Sequence, residues 1–457
     1  MISLNRKSLY IVILIFLFLI IGLFFIFKDE KKKSSDKLKA TIINYSDAKL
    51  TVQDNENIIY TFKMDELEAK VGDSIAIKYA GILDKNNEFQ NVEVMNYEIL
   101  ATSESEDGIP SGWLDEGIFS DYYKLAYEKL KKMDLDEKIG QLFLVRLPDT
   151  NVITDLKKYK FGGYVLYEKD FRNKNETEVK KMIKELQDNS DIPLLIAVDE
   201  EGGKVVRVSS NSQLVSSKFK SPSELYALGG FSQIREDTIN KSKILNNLGI
   251  NLNLAPVVDV STNPSDYMYG RTLGENTELT STYAKTVISA SKGYGVSYTL
   301  KHFPGYGNNA DTHTGNVVDS RTYEDIKQND LPPFEAGIKE GAEAVLVSHN
   351  TVSSIDSSNL ASLSPSVHNL LRSNLNFSGV IITDDLAMGA TSSIDNATVK
   401  AILAGNDLII TTDYATDIAN VKEALTNGNI SEDLIDKLAF RVIAWKYYKG
   451  LMFDTQK

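Results

Sequence analysis

The chain opens with a long uninterrupted apolar run over residues 9–27, which comprises 19 residues. As a helix, such a run extends about 28 Å at roughly 1.5 Å per residue, close to the hydrocarbon thickness of a bilayer. It passes directly into a lysine-rich stretch, without the small residues of a signal-peptide cleavage site. The pattern therefore predicts an uncleaved transmembrane anchor followed by a charged tether, over residues 1–38.

Between residues 39 and 101, apolar and polar positions alternate in short runs that are separated by polar turns. Alternation with a period of two is typical of strands with one buried face, so we predict a small β domain of five strands here. The next stretch, residues 102–116, is rich in Ser, Asp, Gly and Pro and is expected to be a linker. For the small β domain, a spacer and a wall-binding or partner-binding module remain alternatives.

From residue 117 onward, continuous apolar segments alternate with amphipathic helical segments. The strand candidates are residues 140–147, 162–167, 193–199, 250–259, 296–303, 343–349, 379–385 and 407–412. Continuous apolar strands need cover on both faces, so the pattern predicts an α/β fold, a (β/α)8 TIM-type barrel over residues 117–457. An open doubly wound sheet is the alternative, but no glycine-rich nucleotide-binding motif supports it.

The composition narrows the choice of partners and cofactors. The formal charge of -13, from 63 acidic and 50 basic residues, would repel a phosphate backbone, so nucleic acid is not expected as a partner. The absence of cysteine from the sequence excludes thiol catalysis, disulfides, zinc-cysteine sites and a lipid-modified cysteine. The four histidines lack the spacing of a metal-binding motif, so we expect neither a metal nor another cofactor.

Polar residues end four of the predicted strands. In a barrel of this type, catalytic groups collect at the C-terminal ends of the strands. A single polar strand end is often only a solvated rim residue, whereas several of them converge on one pocket mouth. These residues are Asp199, Lys301 with His302, His349, and Asp384 with Asp385.

A Gly- and Asn-rich loop after the fifth predicted strand ends in Asp311-Thr312-His313. A carboxylate two residues before an imidazole can fix its tautomer and raise its basicity, which would make His313 a proton donor and acceptor. A structural hydrogen bond within the loop is the alternative. We expect His368, on a predicted helix, to be a surface or half-buried residue.

Nine segments together resemble the bacterial β-N-acetylglucosaminidases of glycoside hydrolase family 3. In chain order they read VDEEGGKVVRV, LAPVVDV, GRTLGEN, KHFPGYG, DTH, LPPFEAGI, VLVSHN, SLSPSV and GVIITDDLAMGA. The resemblance runs from about residue 139 to the chain end and keeps the order of the motifs. It leaves out the predicted anchor and the small β domain.

The resemblance implies a retaining mechanism on a β/α barrel and assigns a role to individual residues. Asp384 matches the nucleophile that forms the glycosyl-enzyme, and His313 with Asp311 matches the acid/base dyad. Asp385 is expected to be a structural neighbour. The expected substrate contacts are Asp199, Arg271, Lys301 and His302, with Arg207 and His349 as candidates either for sugar contacts or for holding the pocket.

The sequence departs from the family pattern at several positions. Tyr306 stands where a second histidine is common, and Glu200 replaces a common glutamine. YEKDF, residues 167–171, replaces a common F-x-R-N-F, so the role of Asp170 as a pocket contact is open. The sequence also lacks the second α/β domain of some relatives, which favours a single catalytic domain.

These observations predict an exo-acting β-N-acetylglucosaminidase that acts on peptidoglycan-type glycans or muropeptides, with water or phosphate as the acceptor. A family 3 β-glucosidase and a catalytically inactive wall-binding protein are the alternatives. The substrate favours a membrane-anchored enzyme with its catalytic domain outside the cell. The four lysines that follow the apolar run favour the opposite orientation by the positive-inside rule.

Overall fold

The computed structural model describes most of the chain between residues 35 and 453. The described residues are 35–46, 48–55, 57–64, 67, 69–85, 87, 89–101, 105, 107–312, 315 and 317–453. The chain divides into two compact units, one that ends at Leu114 and one that begins at Asp115. No helix within the described ranges is long and apolar enough to cross a membrane, and the predicted transmembrane segment, residues 9–27, lies outside them.

The first unit contains a five-stranded antiparallel sheet in the order β3-β2-β1-β4-β5. The strands are β1 (Ser35–Ser46), β2 (Lys49–Asp54), β3 (Ile59–Lys63), β4 (Ser74–Ala80) and β5 (Glu93–Ala101). Alternate residues such as Leu50, Val52, Ile75 and Ile77 are buried in one apolar cluster, as the period of two requires. Thr61 of β3 also forms a parallel bridge to Phe89, in the segment before β5.

The second unit is built on eight parallel strands that follow one another around a barrel in chain order. The strands of this unit are β6 (Phe143–Arg146), β7 (Gly163–Leu166), β8 (Leu195–Val198), β9 (Leu252–Asn253), β10 (Ser297–Phe303), β11 (Val318–Asp319), β12 (Ala344–Val347), β13 (Thr351–Val352), β14 (Val380–Thr383) and β15 (Ile409–Thr411). The short strands β11 and β13 pair with each other as a separate ribbon. A bridge between Ile382 and Leu408 brings the last two barrel strands together. Of the predicted (β/α)8 TIM-type barrel, the structure shows eight parallel strands in a near-closed barrel.

Helices cover the outside of the barrel. They are α1 (Tyr123–Leu130), α2 (Leu135–Gln141), α3 (Val152–Tyr159), α4 (Glu168–Phe171), α5 (Glu176–Asp188), α6 (Pro222–Asn247), α7 (Thr277–Ser291), α8 (Tyr323–Asn329), α9 (Leu331–Lys339), α10 (Pro365–Asn369), α11 (Ala397–Ala404), α12 (Tyr414–Thr426) and α13 (Glu432–Tyr448). In α5, Val179, Ile183 and Leu186 are buried at helical spacing, and Asn175 caps the first turn. Both faces of the barrel strands are therefore covered, which explains their continuous apolar sequence.

His368 on α10 corrects one expectation from the sequence. Its side chain is buried, and Nδ1 lies 2.8 Å from the carbonyl oxygen of Ser364, one helical turn earlier. Burial lowers the pKa of this imidazole below its ordinary value. The prediction of a surface or half-buried residue was wrong because this helix packs beside the end of α11, where a Cβ atom on Gly405 would lie 3.8 Å from Cδ2 of His368.

Candidate active site

The C-terminal ends of the barrel strands bring most of the predicted site residues together. Asp199 directly follows β8, Lys301 and His302 lie within β10, and Asp384 directly follows β14. His349 follows β12, with one residue between them. The C-terminal ends of parallel barrel strands share one face, so these side chains surround the same mouth.

A buried carboxylate that we did not predict, Glu201, lies at the centre of the cationic part of the site. Its oxygens accept hydrogen bonds from Nη2 of Arg271 at 2.6 Å and from Nε of Arg271 at 2.9 Å. Nζ of Lys301 lies 2.7 Å from Glu201 and 2.7 Å from Asp199. Arg271 and Lys301, predicted separately, are therefore joined through Glu201. The run of three acids in the segment DEEGG was the available signal, because Glu201 is the third of them and lies only three residues after the end of β8.

The charges in this cluster are set by burial and by the neighbouring ions. Burial would raise the pKa of Glu201, but Arg271 and Lys301 hold it well below its ordinary range. Burial would lower the pKa of Lys301, but Asp199 and Glu201 raise it above its ordinary value. Glu201 and Lys301 are therefore both charged at neutral pH. They offer fixed donors and acceptors for the hydroxyl groups of a sugar.

His302 is oriented by a second carboxylate that we did not predict, Asp259. Nδ1 of His302 lies 2.7 Å from Oδ2 of Asp259, and Nε2 lies 3.4 Å from Nη2 of Arg271. A proton on Nδ1 that is donated to Asp259 leaves Nε2 as the acceptor that faces the site. Asp259 ends the apolar segment 250–259, so the same strand-end rule that indicated Asp199 would have found it.

Glu200, which follows Asp199 and replaces the glutamine of the family pattern, supports the loop that carries Arg207. Its Oε2 accepts the backbone N–H groups of Arg207 and Val208 at 2.7 and 2.6 Å, and its side chain is fully buried. Nη2 of Arg207 lies 3.7 Å from Oδ2 of Asp199. Glu200 therefore places Arg207 at the edge of the pocket and does not line the pocket itself.

Two adjacent acids, Asp384 and Asp385, differ in their electrostatic environment. Burial would raise the pKa of Asp384, but His349, His302, the backbone N–H of Asp385 and Lys301 lower it overall. For Asp385, burial and the negative charge of Asp384 raise the pKa. Asp384 is therefore the acid that stays ionised beside the cationic cluster, as a nucleophilic carboxylate must.

His349 connects the pocket wall to the acidic pair. Its Nδ1 lies 2.7 Å from Oγ of Ser362, and its Nε2 lies 3.1 Å from the backbone oxygen of Asp385. Both ring nitrogens are thus in contact with protein atoms. Of the two roles that the sequence left open, this geometry favours holding the pocket.

Asp170 forms part of its own helix start. Its Oδ2 accepts the backbone N–H of Tyr167 at 2.8 Å, and this caps α4. Two guanidinium groups lie near the ring of Tyr167, with Cζ of Arg146 4.0 Å and Cζ of Arg207 5.2 Å from the ring centre. In the segment YEKDF, which differs from the family pattern, Tyr167 and not Asp170 therefore lies at the rim of the pocket.

The segment of the predicted dyad passes close to the segment that follows Asp384, the predicted nucleophile. The hydroxyl of Tyr306 accepts the backbone N–H of Thr312 at 2.9 Å, and the carbonyl of Thr312 accepts the N–H of Ala390 at 3.2 Å. Asp311, beside Thr312, helps to raise the pKa of Tyr267, after the larger effect of burial. His313 lies outside the described residues, so its role stays a prediction. Tyr306, in place of a histidine, braces this segment.

In the part of the chain that the structure describes, no three His, Asp or Glu side chains are arranged to hold a metal ion. The site is instead composed of carboxylates, an imidazole and two cations in direct contact. Such a set can bind hydroxyl groups, keep one carboxylate ionised and orient a proton donor. It suits transfer of a sugar through an oxocarbenium-like transition state.

The sequence matches the family described as "glycosyl hydrolase family 3 N terminal domain" over residues 134–445. The β-hexosaminidase LpqI of Mycobacterium tuberculosis is 31% identical over 269 residues, which cover 56% of this chain and 68% of that protein. A β-hexosaminidase of Psychromonas ingrahamii is 33% identical over 262 residues, which cover 54% and 74%. The solved glycoside hydrolase family 3 β-N-acetylglucosaminidase of Paenibacillus has a TM-score of 0.66 at 28% identity, and the match covers 71% of this chain and 64% of that one. The chain therefore belongs to glycosyl hydrolase family 3 and is a glycoside hydrolase.

Proposed function

We propose that the protein is an exo-acting, retaining β-N-acetylglucosaminidase that removes terminal N-acetylglucosamine from peptidoglycan-type fragments. Asp384 is the nucleophile, and His313 with Asp311 transfers the proton. The observation that carries this proposal is the contrast between Asp384, which is held ionised, and Asp385, whose pKa is raised. The activities named for the relatives support the choice of sugar.

The reaction follows from the charges around the pocket. The carboxylate of Asp384 attacks the anomeric carbon while the imidazole of His313 protonates the departing oxygen, and a covalent glycosyl-enzyme forms. The same imidazole then removes a proton from the acceptor. Because an imidazole is neutral after it has given up its proton, His313 leaves no second negative charge opposite Asp384 beside the developing cation. Asp199, Arg271, Lys301 and His302 bind the sugar hydroxyls.

The test of this proposal is turnover of an aryl β-N-acetylglucosaminide compared with the matching aryl β-glucoside, each with and without phosphate. We expect a clear preference for the acetamido sugar. A preference for glucose would favour the β-glucosidase alternative, and an absence of turnover on both sugars would favour the inactive wall-binding alternative. A glycosyl phosphate among the products would identify phosphate as the acceptor.

Trapping with a fluorosugar tests the nucleophile separately from the substrate. A 2-fluoro or 5-fluoro analogue slows breakdown of the covalent intermediate more than its formation, so the adduct can be located by peptide mass spectrometry. We expect the adduct on Asp384. An adduct on Asp385 would refute the assignment even if the sugar preference is as proposed.

For the cellular location, we propose a single-pass anchor in residues 9–27 with the catalytic unit outside the membrane. The apolar run and a peptidoglycan-type substrate support this orientation, while the lysines after the run oppose it. The test is protease treatment of intact, wall-stripped cells, with a cytoplasmic protein as the control. Degradation of the catalytic unit in intact cells is expected, and protection until lysis would place it inside.

A further inference from the structure

One arginine outside the pocket, Arg321, joins two buried carboxylates. Its Nη2 donates to Oδ2 of Asp319 at 2.7 Å, and its Nε lies 3.0 Å from the same oxygen. Its Nη1 donates to Oδ2 of Asp330 at 2.7 Å. Both carboxylate side chains are 1% exposed. Because a guanidinium is planar and offers its donors in a fixed fork, these contacts define a rigid unit, the Arg321 cluster of Arg321, Asp319 and Asp330.

The segment that carries Asp311 begins in direct contact with this cluster. A Cβ atom on Gly305 would lie 2.4 Å from Cβ and Oδ1 of Asp330, and one on Gly307 would lie 2.5 Å from Cζ of Arg321. Both glycines also have positive φ, 121° and 58°. The backbone at the start of the segment is therefore packed against the Arg321 cluster so closely that no side chain fits between them.

The same cluster holds the chain where it returns from this segment. Asp319 belongs to β11, and its carbonyl accepts the backbone N–H of Ser353 at 2.9 Å, beside β13. Asp330 lies between α8 and α9, and Phe334 of α9 packs on Phe303 of β10 with ring centres 5.2 Å apart. Arg321 thus ties the start and the end of the segment to the β11–β13 ribbon and to α9, which packs on the barrel.

The geometry points to Arg321 as a positioning residue for the proton-transfer group: by holding both ends of segment 304–318 on the barrel, it sets where Asp311 lies relative to Asp384. This inference rests on the proposed function, because it assumes that Asp311 and the adjacent His313 serve in proton transfer. A general acid must lie within hydrogen-bond reach of the departing oxygen. A displacement of about 1 Å can cost roughly 100-fold in rate.

The test is Arg321→Lys, which keeps the positive charge but cannot bind two carboxylates through a planar fork. Values of kcat/KM are measured for aryl β-N-acetylglucosaminides with good and with poor leaving groups. We expect a loss of about 10-fold to 100-fold for poor leaving groups and less than about 3-fold for activated ones. Arg321→Gln, which leaves two carboxylates without their cation, reports separately on stability.

Arg372→Lys is the matched control. Arg372 also donates to a buried carboxylate, with its Nη2 2.6 Å from Oδ2 of Asp407, and its side chain is exposed to a similar degree, 24% against 25% for Arg321. It lies at the opposite end of the barrel, because Asp407 precedes β15. We expect Arg372→Lys to lower thermal stability without any dependence of the activity on the leaving group.

A double variant separates positioning from a general effect on the fold. In a His313→Ala background the proton donor is absent, so Arg321→Lys is expected to add less than about 3-fold further loss. Two results would overturn the inference about Arg321 and leave the proposed function standing. One is an equal loss of kcat/KM in Arg321→Lys for good and poor leaving groups, and the other is full additivity of its loss with that of His313→Ala. A His313→Ala variant without any leaving-group dependence would instead refute the acid/base assignment, and an inactive wild-type enzyme would overturn both.

Discussion

Lys301 and Lys446 are both buried, but they lie at opposite ends of the barrel strands. Nζ of Lys301, at the C-terminal end, lies 2.7 Å from each of two carboxylates, and its pKa is raised. Nζ of Lys446 donates to the amide oxygen of Gln141 at 2.5 Å, before β6 begins, and burial lowers its pKa to about 7. Burial alone thus works against a charged amine, and the carboxylate partners keep Lys301 charged where a ligand can meet it.

The same contrast applies to the acids and gives the largest expected effect. Asp384→Asn removes the proposed nucleophile at the mouth, and we expect kcat to fall by about 10⁴-fold or more. Asp407→Asn, at the other end, weakens the contact with Arg372 and is expected to cost about 1–3 kcal/mol of stability, with kcat nearly unchanged. Steady-state kinetics and thermal unfolding of both variants check this. Comparable losses of kcat in the two variants would contradict a catalytic role that is specific to Asp384.

Removal of the proposed proton donor, His313, should have a smaller effect that depends on the leaving group. His313→Ala is expected to lower kcat/KM by about 100-fold or more for poor leaving groups, because only these need protonation as they depart. Activated aryl glycosides should lose much less. A plot of kcat/KM against leaving-group pKa for the wild type and the variant makes the comparison. Parallel plots would assign His313 a structural role.

Substitution of the two lysines tests the comparison directly. Lys301→Met leaves Glu201 and Asp199 without their shared amine, so we expect kcat/KM to fall by about 100-fold and stability to fall by about 3 kcal/mol. Methionine has a volume similar to that of lysine, so Lys446→Met removes only an amine that is partly protonated at neutral pH. Its kcat/KM should stay within about 2-fold of the wild type. A loss of activity in Lys446→Met would show that the N-terminal ends of the barrel strands are coupled to the site.

The smallest expected effect is a pH dependence of stability. The amine of Lys446 has a pKa near 7 in the folded state against 10.5 ordinarily, so between these values the unfolded chain binds more protons. The contribution of this group to the free energy of unfolding therefore rises with pH across that window, by up to about 2 kcal/mol between pH 7 and pH 9. Urea unfolding of the wild type and Lys446→Met measures the difference. Parallel pH profiles of the two proteins would contradict the lowered pKa.

The sequence by itself predicted the features that depend on local pattern. Continuous apolar segments marked the eight barrel strands, because a strand that is covered on both faces needs apolar side chains at every position. The polar residues at the C-terminal ends of these segments included Asp199, Lys301, His302 and Asp384, because chain direction alone decides which end of a strand meets the mouth. The order of the motifs also indicated the family.

Only the tertiary structure decided which of these groups act on one another. Glu201 meets Arg271 and Lys301 across 70 and 100 residues of chain, and no local pattern encodes such a contact. The difference between Asp384 and Asp385 arises from side chains that other strands bring to the mouth, because a pKa depends on burial and on neighbouring charges rather than on residue type. For the same reason, the burial of His368 could not be predicted from the helix that carries it.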